Sequence, residues 1–414
     1  MIDNTTYKNT SVGIIPVDWE VKKLGEIGEL KNGINKDKSD FGFGFPMVNL
    51  MDVFGINKIF KNNLNLGLVN ANERDIKEFS LRKGDVLFIR SSVKPTGVGL
   101  TTLICDDLEN TTYSGFIIRF RDNHYLNFEY KAHCFSDENF RNRLLNKSTI
   151  SANANINQGA LNSLVIPIPP LPEQQKIAEI LSTWDAAIDN CKTIIDNLKI
   201  RNNGLSQQLL AGKIRQNGFE KANWSLFPIK KIAKDVSKKN PSDKDLIVLS
   251  CTKYNGLVPS LEYFGRKIYS DDLTTYKIVS KGQFAYATNH IEEGSIGYQS
   301  NYDEALISPM YTVFQTDDTV NDNFLFRVLK STNYIHEYQK RMEGSIDRRG
   351  GLRWDEFSKI KVPVPDLKEQ LAIVEILDKA TEELNQCQQK LETLLLQKKG
   401  LMQQLLTGKV RVKI

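Results

Sequence analysis

The sequence predicts an α+β chain: two globular domains separated by two long helices that form an antiparallel coiled-coil spacer, the whole pseudo-twofold. Three observations predict it. The stretch QQLLAGKIR (207–215) returns 196 residues later as QQLLTGKVR (403–411). The same offset runs back without a gap, so that IPIPPLPEQQKIAEIL (166–181) lies over VPVPDLKEQLAIVEIL (362–377), Glu173 on Glu369 and Gly204 on Gly400. Within both copies apolar residues recur in alternating steps of four and three, the signature of a coiled-coil seam. A period of this length is too long for a stacked solenoid, so it divides the chain into two halves.

Size and composition agree. The chain's 414 residues exceed what one core usually organises, and 40% hydrophobic with 25% charged residues is ordinary for a globular protein. No apolar run reaches the roughly 18 residues of a membrane span, and the start, MIDNTTYKNTS, has no apolar signal-peptide core. We therefore expect a cytoplasmic protein with no membrane partner. Five scattered cysteines without a CxxC pair give no disulfide framework or zinc knuckle. His133–Cys134 alone, among four histidines without ligand spacing, gives no metal site. A net charge of +5 with pI about 8.7 is compatible with nucleic acid, although many mildly basic proteins never touch it.

The first globular domain is expected over 1–165. DWEVKKLGEI (18–27) places aliphatic residues five and eight positions after its Trp, and NWSLFPIKKI (223–232) repeats that spacing at the start of the second domain, expected over 216–361. KGDVLFIR (83–90) and KGQFAYAT (281–288) each read as a Lys-Gly turn leading into a strand, followed by glycines at 97 and 99 and at 294 and 297. TTYSGFIIRFR and PMYTVFQT alternate like strands. NFEYKAHCFSDENFRNRLL and NDNFLFRVLKSTNYIHEYQKRM read as helices with apolar faces.

The repeated segments, 166–215 and 362–414, are expected to be helices of about 40 residues, on the order of 60 Å at ~1.5 Å per residue. After Pro172 no proline occurs until Pro228, and after Pro365 none occurs. One seam is Ile177, Leu181, Trp184, Ile188, Cys191, Ile195 and Leu198, then Leu205 and Leu209. The other is Ile373, Leu377, Ala380, Leu384, Cys387, Leu391 and Leu394, then Leu401 and Leu405. Asn202 and Lys398 interrupt the seams at matching places, as register-fixing polar residues do. Gly212 and Gly408 are helix stops, with Lys213 and Arg215, or Lys409 and Arg411, as cations near the C-terminal dipoles. Antiparallel pairing is the easier geometry, because a second globular domain separates the two helices in the chain.

Catalytic signals are thin. FGFGF (41–45) superficially resembles a Gly-rich adenosylmethionine loop but lacks a preceding apolar strand, and Pro46 follows it. There is no Asn-Pro-Pro-Phe/Tyr tetrapeptide and no P-loop. Polar loops suit a binder better. We single out Arg90 and Lys94, then Asn155 and Gln158, in the first domain. In the second these are Lys253 and Tyr254, Asn289 and His290, and Arg348 and Arg349. Arg and Lys match guanine edges or phosphates, and Asn and Gln match adenine edges. Taken one at a time, each is equally well an ordinary solvated loop residue.

Over essentially its whole length the sequence resembles the specificity subunit of a type I restriction-modification enzyme. GIIPVDWEVKKLGEI resembles the start of that family's target-recognition domain. IPIPPLPEQQKIAEIL and VPVPDLKEQLAIVEIL resemble its central and C-terminal conserved regions, although Asp366 and Lys368 stand where the first copy has Pro170 and Pro172. The resemblance implies two target-recognition domains, each reading half of a bipartite site in double-stranded DNA, and a helical spacer that sets the gap. It implies docking of two modification (methyltransferase) subunits, which would hold S-adenosylmethionine, and of nuclease-translocase subunits for restriction. This chain itself would carry no cofactor and no catalytic site. A specificity subunit of a modification-only system, or a coiled-coil structural adaptor without a DNA role, is the alternative.

Overall fold

The computed structural model describes residues 6–150, 153–220, 223–240, 246–343 and 351–414. It divides into two compact units, Met1–Thr193 with Gln389–Ile414 and Ile194–Gln388. The two repeated segments are single helices, Leu171–Leu210 and Leu367–Leu405, and each contributes one part to either unit.

The first unit is built on a five-stranded sheet ordered Gly28–Asn32, Ile117–Asp122, Val86–Ile89, Thr101–Ile104 and Lys58–Ile59. All neighbours are antiparallel except the last pair. Val86–Ile89 is buried along its whole length, because successive side chains enter different cores. Val86 and Phe88, with Ile118 and Phe120, face a cluster that contains Trp19, Leu24, Ile27, Ile177, Leu181 and Leu405. Leu87, Ile89 and Ile117 face the other way, onto Val48, Ile104 and Tyr113. A strand covered on both faces has no polar side, which is why Val86–Ile89 is apolar throughout.

The second unit repeats the arrangement with four strands: Ala233–Asp235, Tyr311–Thr316, Phe284–Ala287 and Ile296–Tyr298. Pairing of Val86 with Phe120 and of Ile89 with Ile117 corresponds to pairing of Phe284 with Phe314 and of Ala287 with Tyr311. Phe284 and Phe314 stack at 4.8 Å and face a cluster holding Leu209, Ile373 and Leu377. Gly297, expected in a turn, lies inside a strand, where a Cβ would come 2.6 Å from the Leu257 nitrogen of the neighbouring hairpin.

Each stretch read as one long domain helix is two. Asp137 caps Glu138–Asn146 after Lys131–Cys134, and Asp322–Leu329 is followed by Thr332–Glu343. The capping carboxylate of Asp137 accepts from the Phe140 N–H at 2.9 Å, so this aspartate starts a new helix inside the expected one.

Each unit contains part of both helices and buries or half-buries their apolar seam positions. In the first, Ile177, Leu181, Ile188 and Cys191 are buried and Trp184 is half-buried, while Leu391 and Leu394 are half-buried and Leu405 is buried. Lys398 pairs with Asp185. Asp185 also lies 3.8 Å from His133, whose imidazole burial pushes below its ordinary range. In the second unit, Ile195, Leu198, Ile373, Leu377 and Ala380 are buried, and Leu384 and Cys387 are half-buried. Asn202 donates its amide to the Ala380 carbonyl at 2.7 Å, and Arg201 meets Glu383 at 2.6 Å. Both interruptions therefore have partners on the facing helix, as a register-fixing residue requires. The pairing is antiparallel in both units, since position rises on one helix as it falls on the other.

The helix ends correct one expectation. Arg215 and Arg411 do more than sit near a dipole. Arg411 donates from Nε and Nη2 to the Glu173 carboxylate at 2.6 and 2.8 Å, and Trp19 Nε1 donates to the same carboxylate at 2.9 Å. Arg215 does the same to Glu369 at 2.6 and 2.8 Å, with Trp224 Nε1 at 3.0 Å. Each arginine at the end of one repeated segment thus closes on the glutamate at the start of the other. The next residue anchors the helix to its domain. Gln174 donates to the carbonyls of Pro169 and Tyr125 and accepts from the Asn127 N–H, and Gln370 treats Pro365, Thr319 and Asn321 identically. Among the described residues no helix is long and apolar enough to cross a membrane.

Gly212 and Gly408 make the turn that brings each arginine back, at φ +64° and +70°. A Cβ on Gly408 would lie 2.4 Å from Pro16 and 3.2 Å from Trp19, whereas on Gly212 the nearest atom, in Trp224, is 3.2 Å away. Gly212→Ala is expected to cost about 1–2 kcal/mol from left-handed strain. Gly408→Ala is expected to cost about 1–3 kcal/mol more, from overpacking against a rigid proline ring. Denaturant unfolding of the two variants checks this; equal losses would show that Pro16 yields freely.

Candidate nucleic-acid interface

In the first unit the two polar loops meet. The strand ending at Ile89 runs on through Arg90 to Ser91–Ser92, which pairs with Ala154–Asn155, which in turn pairs with Thr149–Ile150. The Ile156 N–H donates to the Arg90 carbonyl at 2.9 Å and fastens the second loop to the first. Arg90 is half-buried and its Nη1 donates to the Gly115 carbonyl at 3.2 Å, which holds the guanidinium end of the side chain. Lys94 is exposed at the head of a 3-10 turn, Pro95–Gly97. Asn155 is half-buried and donates to the Asn153 carbonyl at 2.9 Å. Gln158 opens the short helix Gln158–Asn162, which Asn157 caps. Arg90 and Asn155 are therefore brought together by one small sheet, with Lys94 two residues beyond one of its strands and Gln158 three residues beyond Asn155.

The second unit assembles its loops at the equivalent place. The Leu352 N–H donates to the Thr288 carbonyl at 2.8 Å. This is the Ile156–Arg90 bond again, and Leu352 follows Ile156 by the same 196 residues. Gly351, at φ +67°, lies so close that a Cβ would be 2.4 Å from the Thr288 oxygen. Asn289 and His290 follow Thr288 and are exposed. Arg348 and Arg349 lie outside the described residues. Lys253 and Tyr254 occupy the turn of the hairpin Leu249–Thr252 with Gly256–Pro259, the Lys253 ammonium 5.3 Å over the Tyr254 ring. Lys330 ties that turn down, donating to the carbonyls of Lys253 at 2.6 Å and Gly294 at 2.7 Å, and burial lowers its pKa. The loop carrying His290 and the hairpin carrying Tyr254 are thereby connected. His290, Glu292 and Glu293 also place ligand-type atoms within 4.8 Å of one another, a grouping that exposed acidic loops commonly show.

FGFGF is part of an eight-residue strand, Phe41–Val48, paired with Gly67–Val69 across a register shift, and does not lead into a cofactor-binding helix. Sequence reasoning missed Lys330, whose partners are all backbone carbonyls of distant loops. It also missed the Arg–Glu–Trp closure, for which the signal was present: all three residue types recur in both halves.

Comparison with known proteins agrees with this architecture. The profile of a family described as the type I restriction modification DNA specificity domain matches residues 16–199 and 221–395. A Methanocaldococcus jannaschii protein named as the specificity subunit of type I restriction enzyme MjaX is 26% identical over 98% of this chain and 97% of its own. The solved HsdS subunit of Thermoanaerobacter tengcongensis shares the fold with a TM-score of 0.54 at 17% identity, over 96% of this chain and 98% of that one. A chain from a structure on complex assembly and conformational transition of the type I R-M system gives a TM-score of 0.58 at 13% identity, over 96% and 99%. With two matched domains that together span most of its length, and with the same closure at the start of both helices, the chain belongs to the type I restriction-modification specificity family.

Proposed function

We propose that each unit reads one half of a bipartite double-stranded DNA target and that the paired helices dock two methyltransferase subunits, with nuclease-translocase subunits joining for restriction. The chain is the non-catalytic recognition component. S-adenosylmethionine and the methylating site belong to the methyltransferase, and the complex works in the cytoplasm. One observation carries the reading: the frame is the same in both units down to individual hydrogen bonds, while the loops fastened to it differ. Arg90, Lys94 and Asn155 stand where the other unit has Thr288, His290 and Gly351. A shared frame with unlike loops is what two different half-sites demand.

Exchanging the first domain for that of a relative should change the bases of one half of the methylated motif and leave the other half intact. Mapping adenine methylation in a host with the cognate methyltransferase reads this directly, and changes in both halves would contradict it. Lys94, exposed and at a loop tip, is expected to contact phosphate. Lys94→Ala should weaken binding to all sequences alike and reduce the slope of log K against log salt by about 0.9. A slope identical to that of the unaltered protein would leave Lys94 as ordinary surface charge.

A further inference from the structure

Phe116 and Met310 occupy one structural position. Strand pairing places Ile117 with Tyr311 and Phe120 with Phe314, so the residues just before these strands correspond. The turns agree atom by atom. The Phe116 N–H donates to Ser114 Oγ at 3.3 Å, and the Met310 N–H donates to Ser308 Oγ at 3.3 Å. The Ile117 N–H reaches the Ser114 carbonyl at 2.9 Å, and the Tyr311 N–H the Ser308 carbonyl at 3.0 Å. Each turn is tied to the end of the central strand. The Phe116 carbonyl accepts from the Arg90 N–H at 2.8 Å, and the Met310 carbonyl accepts from the Thr288 hydroxyl at 3.0 Å.

Both side chains are left in water, Phe116 56% exposed and Met310 57% exposed. A lone exposed apolar residue needs no explanation. Two at one position, in units whose sequences differ there, do: burying such a side chain is favourable, and neither unit buries it. Their surroundings say what covers them. The Phe116 carbonyl holds the N–H of Arg90, which leads into the strand Ser91–Ser92 paired with Asn155, and Lys94 is exposed two residues beyond that strand. Met310 lines a depression of about 250 Å³ together with Asn289 and His290. Donors around an apolar side chain, joined by cations in the first unit, suit DNA, and the apolar group a base edge offers in the major groove is the thymine methyl.

We infer that Phe116 and Met310 each contact the methyl edge of a T·A pair, one in either half of the bipartite target. The inference rests on the proposed half-site reading. Neither residue neutralises phosphate, so neither contributes to salt dependence.

The test uses the full chain with its methyltransferase subunits and a library of duplexes randomised over both half-sites, selected at two salt concentrations. Phe116→Ala should lower selection for T·A on the order of tenfold at one position of one half only. Met310→Ala should do the same in the other half, both with the salt slope unchanged. Phe116→Leu, which keeps an apolar surface, should retain most of the selection. Uniform weakening on all duplexes, relaxation at a position that does not select T·A, or selection unchanged in both variants would overturn the inference. If the unaltered complex selects no bipartite motif, the half-site reading itself fails, a result distinct from these.

Discussion

Two carboxylates taken out of water set the rest of the structure. The Glu173 and Glu369 side chains are essentially inaccessible, and a buried charge is tolerated only when partnered and fully hydrogen-bonded. Each finds an arginine fork and an indole N–H. The arginines lie after the far ends of the other helices, so satisfying each carboxylate requires the helices to run antiparallel and brings residues 369 and 215, or 173 and 411, together. The tryptophans bring in the start of each globular domain. The glycines at 212 and 408 follow from the same constraint, because the chain must reverse sharply to return the guanidinium.

This arrangement separates what must stay constant from what can change. The Glu-Gln pair, the tryptophan and the arginine join helix to domain through buried hydrogen bonds, where one altered partner leaves a desolvated group unpaired. The second polar loop of each unit is fastened to the first by a backbone bond, Ile156 to Arg90 and Leu352 to Thr288. Backbone bonds make no demand on side-chain identity. The recognition surface can therefore be rewritten in one unit without disturbing the sheet beneath it, which is the property a bipartite reader needs.

The helices were legible in the sequence, since a strict offset and a four-three seam leave little room for another reading. The domain class was legible from turns and apolar runs, and strand 86–89 is an unbroken apolar run because both faces of the sheet are covered. Asp137 hid a helix boundary inside an amphipathic pattern. For the loops, the sequence pointed to Arg90, Lys94, Asn155, Asn289 and His290 by residue type, and only the fold shows which of them share a sheet. Phe116 and Met310 were invisible, since their equivalence rests on strand register with an offset of 194, distinct from the 196 of the helices. Arg215 and Arg411 were visible as a repeat but were assigned to the wrong partner: a dipole effect is local, whereas a glutamate more than 150 residues away leaves no local trace.

The exchange of helix ends is the central claim, and a double-mutant cycle on unfolding of the full chain tests it most directly. Glu173→Gln and Arg411→Ala should be coupled by roughly 1–3 kcal/mol, the range for residues in one buried network, while Glu369→Gln and Arg411→Ala should add to within about 0.5 kcal/mol. Additivity of Glu173 with Arg411, or equal coupling of Arg411 to Glu369, would contradict the account.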